Sequence, residues 1–223
     1  MVDVAKNLLA IKAQLPEGVE LTAVSKFHPD EYITAAYNVG QRIFGESHEQ
    51  ELARKAASLP KDIHWHFIGH LQTNKVKYIA PYISMIESVD SIRLLREIEK
   101  QGARCGRRIR VLLELHIAEE ATKYGLTPDD CRSLLADGEW QQMEHVEICG
   151  LMMMASHTDD HDQIAREMDT AHCFFDEVRG KYFADQPSFR YRSWGMSDDY
   201  SIAIHHGSNM VRVGTAIFGE RVY

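Results

Sequence analysis

Eight short apolar or β-branched runs punctuate this chain, and longer stretches with helical periodicity separate them. The runs are "LTAVSK", "IFGES", "HWHFIGH", "ISMIESV", "IRVLLELHI", "EICGLMMM", "RYRSWGM" and "MVRVGTAIF". Of the intervening stretches, "SIRLLREIEKQGARCG" sets Ile92, Leu95, Ile98 and Glu99 at helical offsets and ends on glycine. "TPDDCRSLLADG" opens with Thr127 as N-cap and Pro128 at the first helical position. "SDDYSIAIHHG" opens on a cap and acids and closes on Gly207. Strands alternating with helices argue for a parallel sheet. Eight such units in 223 residues fit an α/β fold closed as a (β/α)8 TIM barrel better than an open sheet. No composition break or flexible linker divides the chain, so residues 1–223 read as a single domain. An extra N-terminal helix, Val2 to Leu15, precedes the first strand.

The length suffices to bury a full core. The charge is acidic, 33 Asp+Glu against 25 Lys+Arg for a net of −8, which disfavours a general nucleic-acid binder. Cys105, Cys131, Cys149 and Cys173 form no Cys-x-x-Cys clip, so neither a disulfide framework nor a zinc site is signalled. The N-terminal "MVDVAKNLLAIKAQLP" is interrupted by Asp3, Lys6 and Lys12 and lacks the apolar core of a signal peptide. No run is long and apolar enough to span a membrane. The expectation is a cytoplasmic protein without membrane or nucleic-acid partners.

In such a barrel, chemistry sits where strands empty into the following loops. The first of these ends is "AVSKFHP", with Lys26 just ahead of Pro29. A lysine there is either a snorkelling side chain, its stem apolar and its ammonium wet, or an amine desolvated enough to form a Schiff base. Strands seven and eight end in residues suited to an anion. In "SWGMSDD", Ser193 and Ser197 offer hydroxyls and Gly195 lets backbone come close. In "RVGTAIFG", Gly214 and Thr215 offer a bare backbone N–H and a hydroxyl. Each pattern alone is ordinary turn chemistry, but these two loops are where the barrel commonly holds phosphate. Arg212 lies two residues before Gly214, on the same strand face. It is either a structural ion-pair member or aimed at a ligand ring, because a buried arginine needs a partner.

A lysine, a phosphate cup and an arginine suit a phosphorylated aldehyde, and pyridoxal 5'-phosphate (PLP) fits that inventory. An arginine facing the ring nitrogen stays charged, leaves that nitrogen unprotonated and weakens the electron sink.

The blocks "AVSKFHP", "FGESHEQE", "WHFIGHLQTNK", "KYGL", "GLMMM" and "GMSDDYSIAIHHGSNMVRVGTAIFGER" follow one another from near the N-terminus to Arg221. In this order they resemble the pyridoxal phosphate homeostasis proteins. The resemblance implies a monomeric barrel like the cofactor-bearing N-terminal domain of alanine racemase. It also implies PLP binding in intracellular vitamin B6 homeostasis, with little or no turnover and with apo PLP-dependent enzymes as recipients. By residue, Lys26 matches the Schiff-base lysine. Ser193, Gly214 and Thr215 fall on the phosphate-binding positions, Arg212 on the residue facing the pyridine nitrogen, and Met152 near the ring. Gln72, Asn74 and Lys75 match a block at the barrel mouth, and Lys123 a second lysine there. Two positions depart: Ser47 replaces the family's usual Asn, and Trp194 a frequent Met. Trp194 alternates with Ser193, so it is expected to point into the helix layer.

Two other activities use the same residues. A PLP-dependent amino-acid racemase needs a base on each face of the substrate α-carbon. Lys26 could be one; the racemase takes the other, a tyrosine, from the second domain of a partner chain. The sequence stops at Tyr223, just past strand eight, so that domain is expected to be missing, and nothing in spacing supports Tyr124 as a substitute. A sugar-phosphate barrel would use Lys26 as an aldolase-type amine, without the yellow colour of a PLP imine. "HTDDHD", residues 157–162, reads as a solvated helix start rather than a metal site. His66 reads at least as readily as a packed, hydrogen-bonded histidine as a cofactor contact. Met153 and Met154 read as core packing, and His205 and His206 as the close of a helix.

Overall fold

The computed structural model describes residues 2–117 and 124–220; Lys123 and Arg221 lie outside them. Eight parallel strands close into a barrel in sequence order. They are β1 (Glu20–Val24), β2 (Ile43–Glu46), β3 (His64–Phe67), β4 (Met85–Val89), β5 (Ile109–Leu115), β6 (Val146–Met153), β7 (Tyr191–Ser193) and β8 (Met210–Val213). The helices among the described residues are α1 (Val4–Lys12), α2 (Asp30–Asn38), α3 (Glu49–Ser58), α4 (Val76–Ile79), α5 (Ile92–Cys105), α6 (Pro128–Asp137), α7 (His161–Tyr182), α8 (Tyr200–His205) and α9 (Thr215–Phe218). The fold is therefore the (β/α)8 TIM barrel with an additional N-terminal helix.

Helix ends follow local chemistry. Thr127 and Asp130 form a reciprocal capping box at the start of α6. Ser91 caps α5, and Gly106 ends it in the left-handed region at φ 62°. Asp160 caps α7 by accepting from Gln163 N at 3.0 Å, which gives one acid of "HTDDHD" a structural role. The first helix is shorter than Val2 to Leu15. Asp3 caps it by accepting from Lys6 N, and Pro16 disfavours helical backbone at Leu15. This helix packs on α9 and α2, the helices after β8 and β1, and Asn7 Nδ2 donates to Ile217 O at 3.2 Å.

Strand alternation sorts the core into two layers. Met85, Leu112, Cys149, Met152, Tyr191 and Met210 form a small cluster with Met154 packed against it. Five consecutive strands supply that cluster and no helix does, so it fills the barrel's interior. Phe44, Trp65, Ile86, Leu113, Met153 and Trp194 belong instead to the layer shared with Leu52, Ile98 and Phe175 of the helices. Met152 thus faces inward and Met153 outward, and Trp194 is fully buried in the helix layer. No helix of the described residues is long and apolar enough to cross a membrane.

β7 is the short member. It shares a single registered pair with β8, Ser193 with Met210. Side chains close the remainder: Asn209 Oδ1 accepts from Arg192 N at 2.7 Å, and Ser208 Oγ lies within hydrogen-bond distance of the carbonyls of Arg192, Trp194 and Met210.

Candidate functional site

β1 and β8 lie side by side, with Thr22 opposite Arg212 and Ala23 opposite Val213. The loop carrying Lys26 therefore emerges next to Gly214 and Thr215. At Gly214 an added Cβ would lie 3.2 Å from Val24 O and 3.3 Å from Val24 Cβ, so the bare backbone is what fits between the two strand ends. Its N–H donates to Ser197 Oγ at 3.2 Å. Thr215 follows, exposed. Gly195 turns the end of β7 at φ 97°, where a Cβ would fall 2.5 Å from Ala203 Cβ. Gly195 O accepts from Arg212 N at 2.9 Å, tying the Gly195 turn to β8. A glycine N–H and two hydroxyls at adjacent strand ends are neutral donors of the kind that hold phosphate.

Below this rim the barrel also holds buried polar and charged side chains. Arg212 is almost fully buried. Its Nη1 donates to Ser193 O and Oγ, both at 2.7 Å, and its Nη2 to Met153 O at 2.8 Å. Ser193 Oγ in turn donates to Glu87 Oε2 at 2.6 Å. His66 Nδ1 lies 2.7 Å from Glu87 Oε1, and Arg212 Nη1 lies 3.9 Å from Glu87 Oε2. Burial alone would raise the Glu87 carboxyl, but His66, Arg212 and Ser193 together hold it below the ordinary range. Burial lowers Arg212, opposed by Glu87, Asp199 and Glu114. Glu114, on β5, is pushed up to about 7, by burial first and then by the charge of Asp90. Its Oε2 has no hydrogen-bond partner among the described residues.

Behind the Lys26 loop lies a second buried charge cluster. Lys55 of α3 is fully buried. Its Nζ donates to Ser25 O at 2.8 Å, Glu46 Oε1 at 2.8 Å and Glu51 Oε1 at 2.7 Å. Glu46 is raised by burial, against the pull of Lys55. Lys26 itself is half-buried, and Phe27 has a left-handed backbone at φ 67°.

Above, the ends of β2 and β3 border a cleft of about 480 Å³ whose walls include Ser47, Gly69, His70, Gln72 and Lys75. Lys75 pairs with Glu49 at 2.7 Å. Tyr124 stacks on His70 with ring centroids 3.9 Å apart.

Most of the residues singled out from sequence thus meet at one end of the barrel. Lys26, Gly214 and Thr215 stand at neighbouring strand ends, and Arg212 and Met152 lie within. Ser193, which the resemblance sets on a phosphate-binding position, lies below the rim, at the end of β7. Its hydroxyl is spent on Glu87 and Arg212 in the floor, and the hydroxyl against Gly214 is that of Ser197, because Ser193 is still inside β7 while Ser197 follows the Gly195 turn. Arg212 also satisfies the ion-pair alternative through Glu87. His66 is the packed, hydrogen-bonded histidine. Sequence reasoning passed over Glu46, Lys55, Glu87 and Glu114. The signal for three of them was present: "IFGE", "MIESV" and "LLEL" each set a carboxylate within a run that is otherwise buried, where a charge needs a partner.

A sequence-family model described as alanine racemase, N-terminal domain, matches residues 2–222. A pyridoxal phosphate homeostasis protein of Aquifex aeolicus is 34% identical over 206 residues, covering 92% of this chain and 88% of the relative. One from Homo sapiens is 35% identical over 215 residues, covering 91% and 77%. The structure of PipY from Synechococcus elongatus with PLP bound aligns with a TM-score of 0.87 at 34% identity, over 97% of this chain and all of that one. An alanine racemase of Clostridium difficile aligns with a TM-score of 0.77 at 15% identity, over 98% of this chain and 59% of that one, which shows the shared barrel alone. With its length matched throughout, the chain belongs to the pyridoxal phosphate homeostasis family, on the barrel of the alanine racemase N-terminal domain.

Proposed function

We propose that this protein binds pyridoxal 5'-phosphate and serves intracellular PLP homeostasis, with Lys26 as the covalent anchor and little or no turnover of its own. The observation that carries the reading is the pairing of a lysine-bearing loop with the Gly214 N–H and the Ser197 and Thr215 hydroxyls at the neighbouring strand ends, above a buried arginine. That donor set suits an aldehyde carrying a phosphate. Full-length relatives named for pyridoxal phosphate homeostasis and a PLP-bound neighbour support it.

When bound, PLP supplies an aldehyde that an amine can hold reversibly and an electron-withdrawing ring. The protein's own residues do the rest. Lys26 provides the amine. Gly214 N–H, Ser197 and Thr215 would hold the phosphate, and Met152 would lie near the ring. Ser193, bonded to Arg212 and Glu87, would orient the arginine. Arg212, kept charged by Glu87 and fixed by two carbonyls, has no proton to give up to a ring nitrogen. That disfavours strong carbanion stabilisation and so favours carriage over turnover. The same reading takes residues 1–223 as one PLP-binding domain, monomeric and cytoplasmic, delivering to apo PLP-dependent enzymes; sedimentation and a transfer assay to an apo-enzyme examine those points.

The test is the visible spectrum of purified protein titrated with PLP, wild type against Lys26→Ala, with borohydride reduction and peptide mapping. A yellow band lost in Lys26→Ala, with the reduced adduct on Lys26, is expected. No band in the wild type would overturn the reading and bring the sugar-phosphate alternative forward. Alanine racemisation at enzyme-like rates would overturn the absence of turnover.

A further inference from the structure

We infer that α3 is a clamp on the cofactor-bearing loop, with Lys55 and Glu51 as positioning residues for Lys26; this rests on the reading of Lys26 as the PLP anchor. The peptide groups on either side of Lys26 are both held by α3 side chains. Ahead of it, Ser25 O accepts from Lys55 Nζ at 2.8 Å. After it, Phe27 N donates to Glu51 Oε1 at 2.8 Å. The two grips are joined, because the same Glu51 oxygen accepts from Lys55 at 2.7 Å. Ser25 Oγ adds a third point by donating to Glu46 Oε1 at 2.6 Å. Further along, Asp30 accepts from Arg54 at 2.8 Å and from Ser58 at 2.7 Å, fixing the start of α2 to the same helix.

Two features argue that this is more than packing. Phe27 has φ 67°, a setting a bulky L-residue rarely adopts. The bond from its N–H to a carboxylate holds it there. The second feature is the ammonium itself. A fully buried lysine between two carboxylates carries a desolvation penalty that an apolar residue of similar volume would avoid. What the ammonium reaches, and an apolar side chain would not, is Ser25 O. A lysine side chain has four torsions of its own, so fixing the backbone on both sides removes the remaining freedom and leaves the amine's reach to its rotamer.

Glu51→Ala removes the acceptor for Phe27 N–H but leaves Lys55 paired with Glu46. Glu51→Gln keeps a carbonyl oxygen in its place. Two quantities are measured on the full chain: amide hydrogen exchange at Phe27 without added PLP, and PLP titration followed by the Lys26-dependent visible band. In Glu51→Ala, Phe27 exchange is expected to speed by about ten-fold or more and apparent PLP affinity to fall by about ten-fold, the scale of one lost charge-assisted hydrogen bond. Core amides such as Leu113 keep their protection, and Glu51→Gln recovers most of both effects. The double variant Lys55→Met with Glu46→Gln, which leaves no buried unpaired charge on either residue, should weaken PLP binding in the same direction. Wild-type exchange and affinity in Glu51→Ala would overturn the clamp while leaving Lys26 as anchor. Loss of Leu113 protection together with Phe27 would also overturn it, since Glu51 would then act on the whole fold. A wild type lacking the Lys26-dependent band would fail the anchor reading and the inference with it.

Discussion

Inside the barrel, Glu114 lies near Arg212 and within the field of Asp90, and its carboxyl is pushed up to about 7 by burial above all. An acid raised in this way favours the folded state while it stays protonated. Its contribution is complete below the unfolded value and is lost as pH rises through the folded one. Wild type should therefore lose ~3 kcal/mol between about pH 4.5 and 8 relative to Glu114→Gln, at 1.36 kcal/mol per pH unit of separation. Urea unfolding of the PLP-free protein at pH 4.5, 6, 7 and 8 measures this difference. Parallel curves across that range would show that Glu114 ionises freely in the folded barrel. Glu87 behaves oppositely: its neighbours stabilise the charged form, so it favours folding above its unfolded value and loses that contribution as pH falls. Two carboxylates in one barrel interior thus titrate apart because one is bonded to His66 and Ser193 and the other has an oxygen without a partner among the described residues.

At the scale of elements, the seam between β7 and β8 relies on side chains. One ladder pair joins the strands, and Ser208 and Asn209 supply what the ladder omits. Ser208→Ala should destabilise by about 1–3 kcal/mol, the range for leaving a buried acceptor unsatisfied. Thr127→Ala, which removes half of an exposed capping box at α6, should cost about 1 kcal/mol. Chemical denaturation compares the two directly. Equal losses would mean that the carbonyls around Ser208 are satisfied in another way. The same seam positions the Gly195 turn and Gly214, so the Ser208 variant should also weaken PLP binding, whereas the Thr127 variant should not.

For the molecule as a whole, the barrel's sheet is closed, with no free strand edge among the described residues, and α1, the first helix, packs on α9, the last of the described helices. Because the proposed site draws on both ends of the chain, Lys26 near one and Gly214 near the other, binding there should stabilise the entire fold. At PLP one hundred times its dissociation constant, linkage gives about 2.7 kcal/mol. For a chain of this size that is a rise in Tm of about 5–10 °C. Calorimetry of wild type and Lys26→Ala at matched PLP checks it. A rise of the same size in Lys26→Ala would show that binding does not depend on Lys26.

The sequence by itself determined the architecture and which polar residues stand at the strand ends. Eight β-prone runs separated by helical stretches admit few closures. Caps at Thr127, Ser91 and Gly106 are local devices readable from neighbouring residues. Lys26, Gly214 and Thr215 were legible because strand ends are where this barrel places its loops. Helix limits were less so: α1 begins at the Asp3 cap and stops at Lys12, short of the limits its hydrophobic period allows. Tertiary structure alone decided partnership. Ser193 and Ser197 are equivalent hydroxyls in the sequence, and only the Gly195 turn sends one to the floor and the other to the rim. Lys55 reads as one more lysine on an exposed helix until the approach of α3 to β1 and β2 buries it beside Glu46. The meeting of Glu87 with Ser193, 106 residues apart, depends on barrel closure, which no local pattern encodes. Burial and pairing are properties of the closed barrel, so the charge states that follow from them belong to the fold and not to the string of residues.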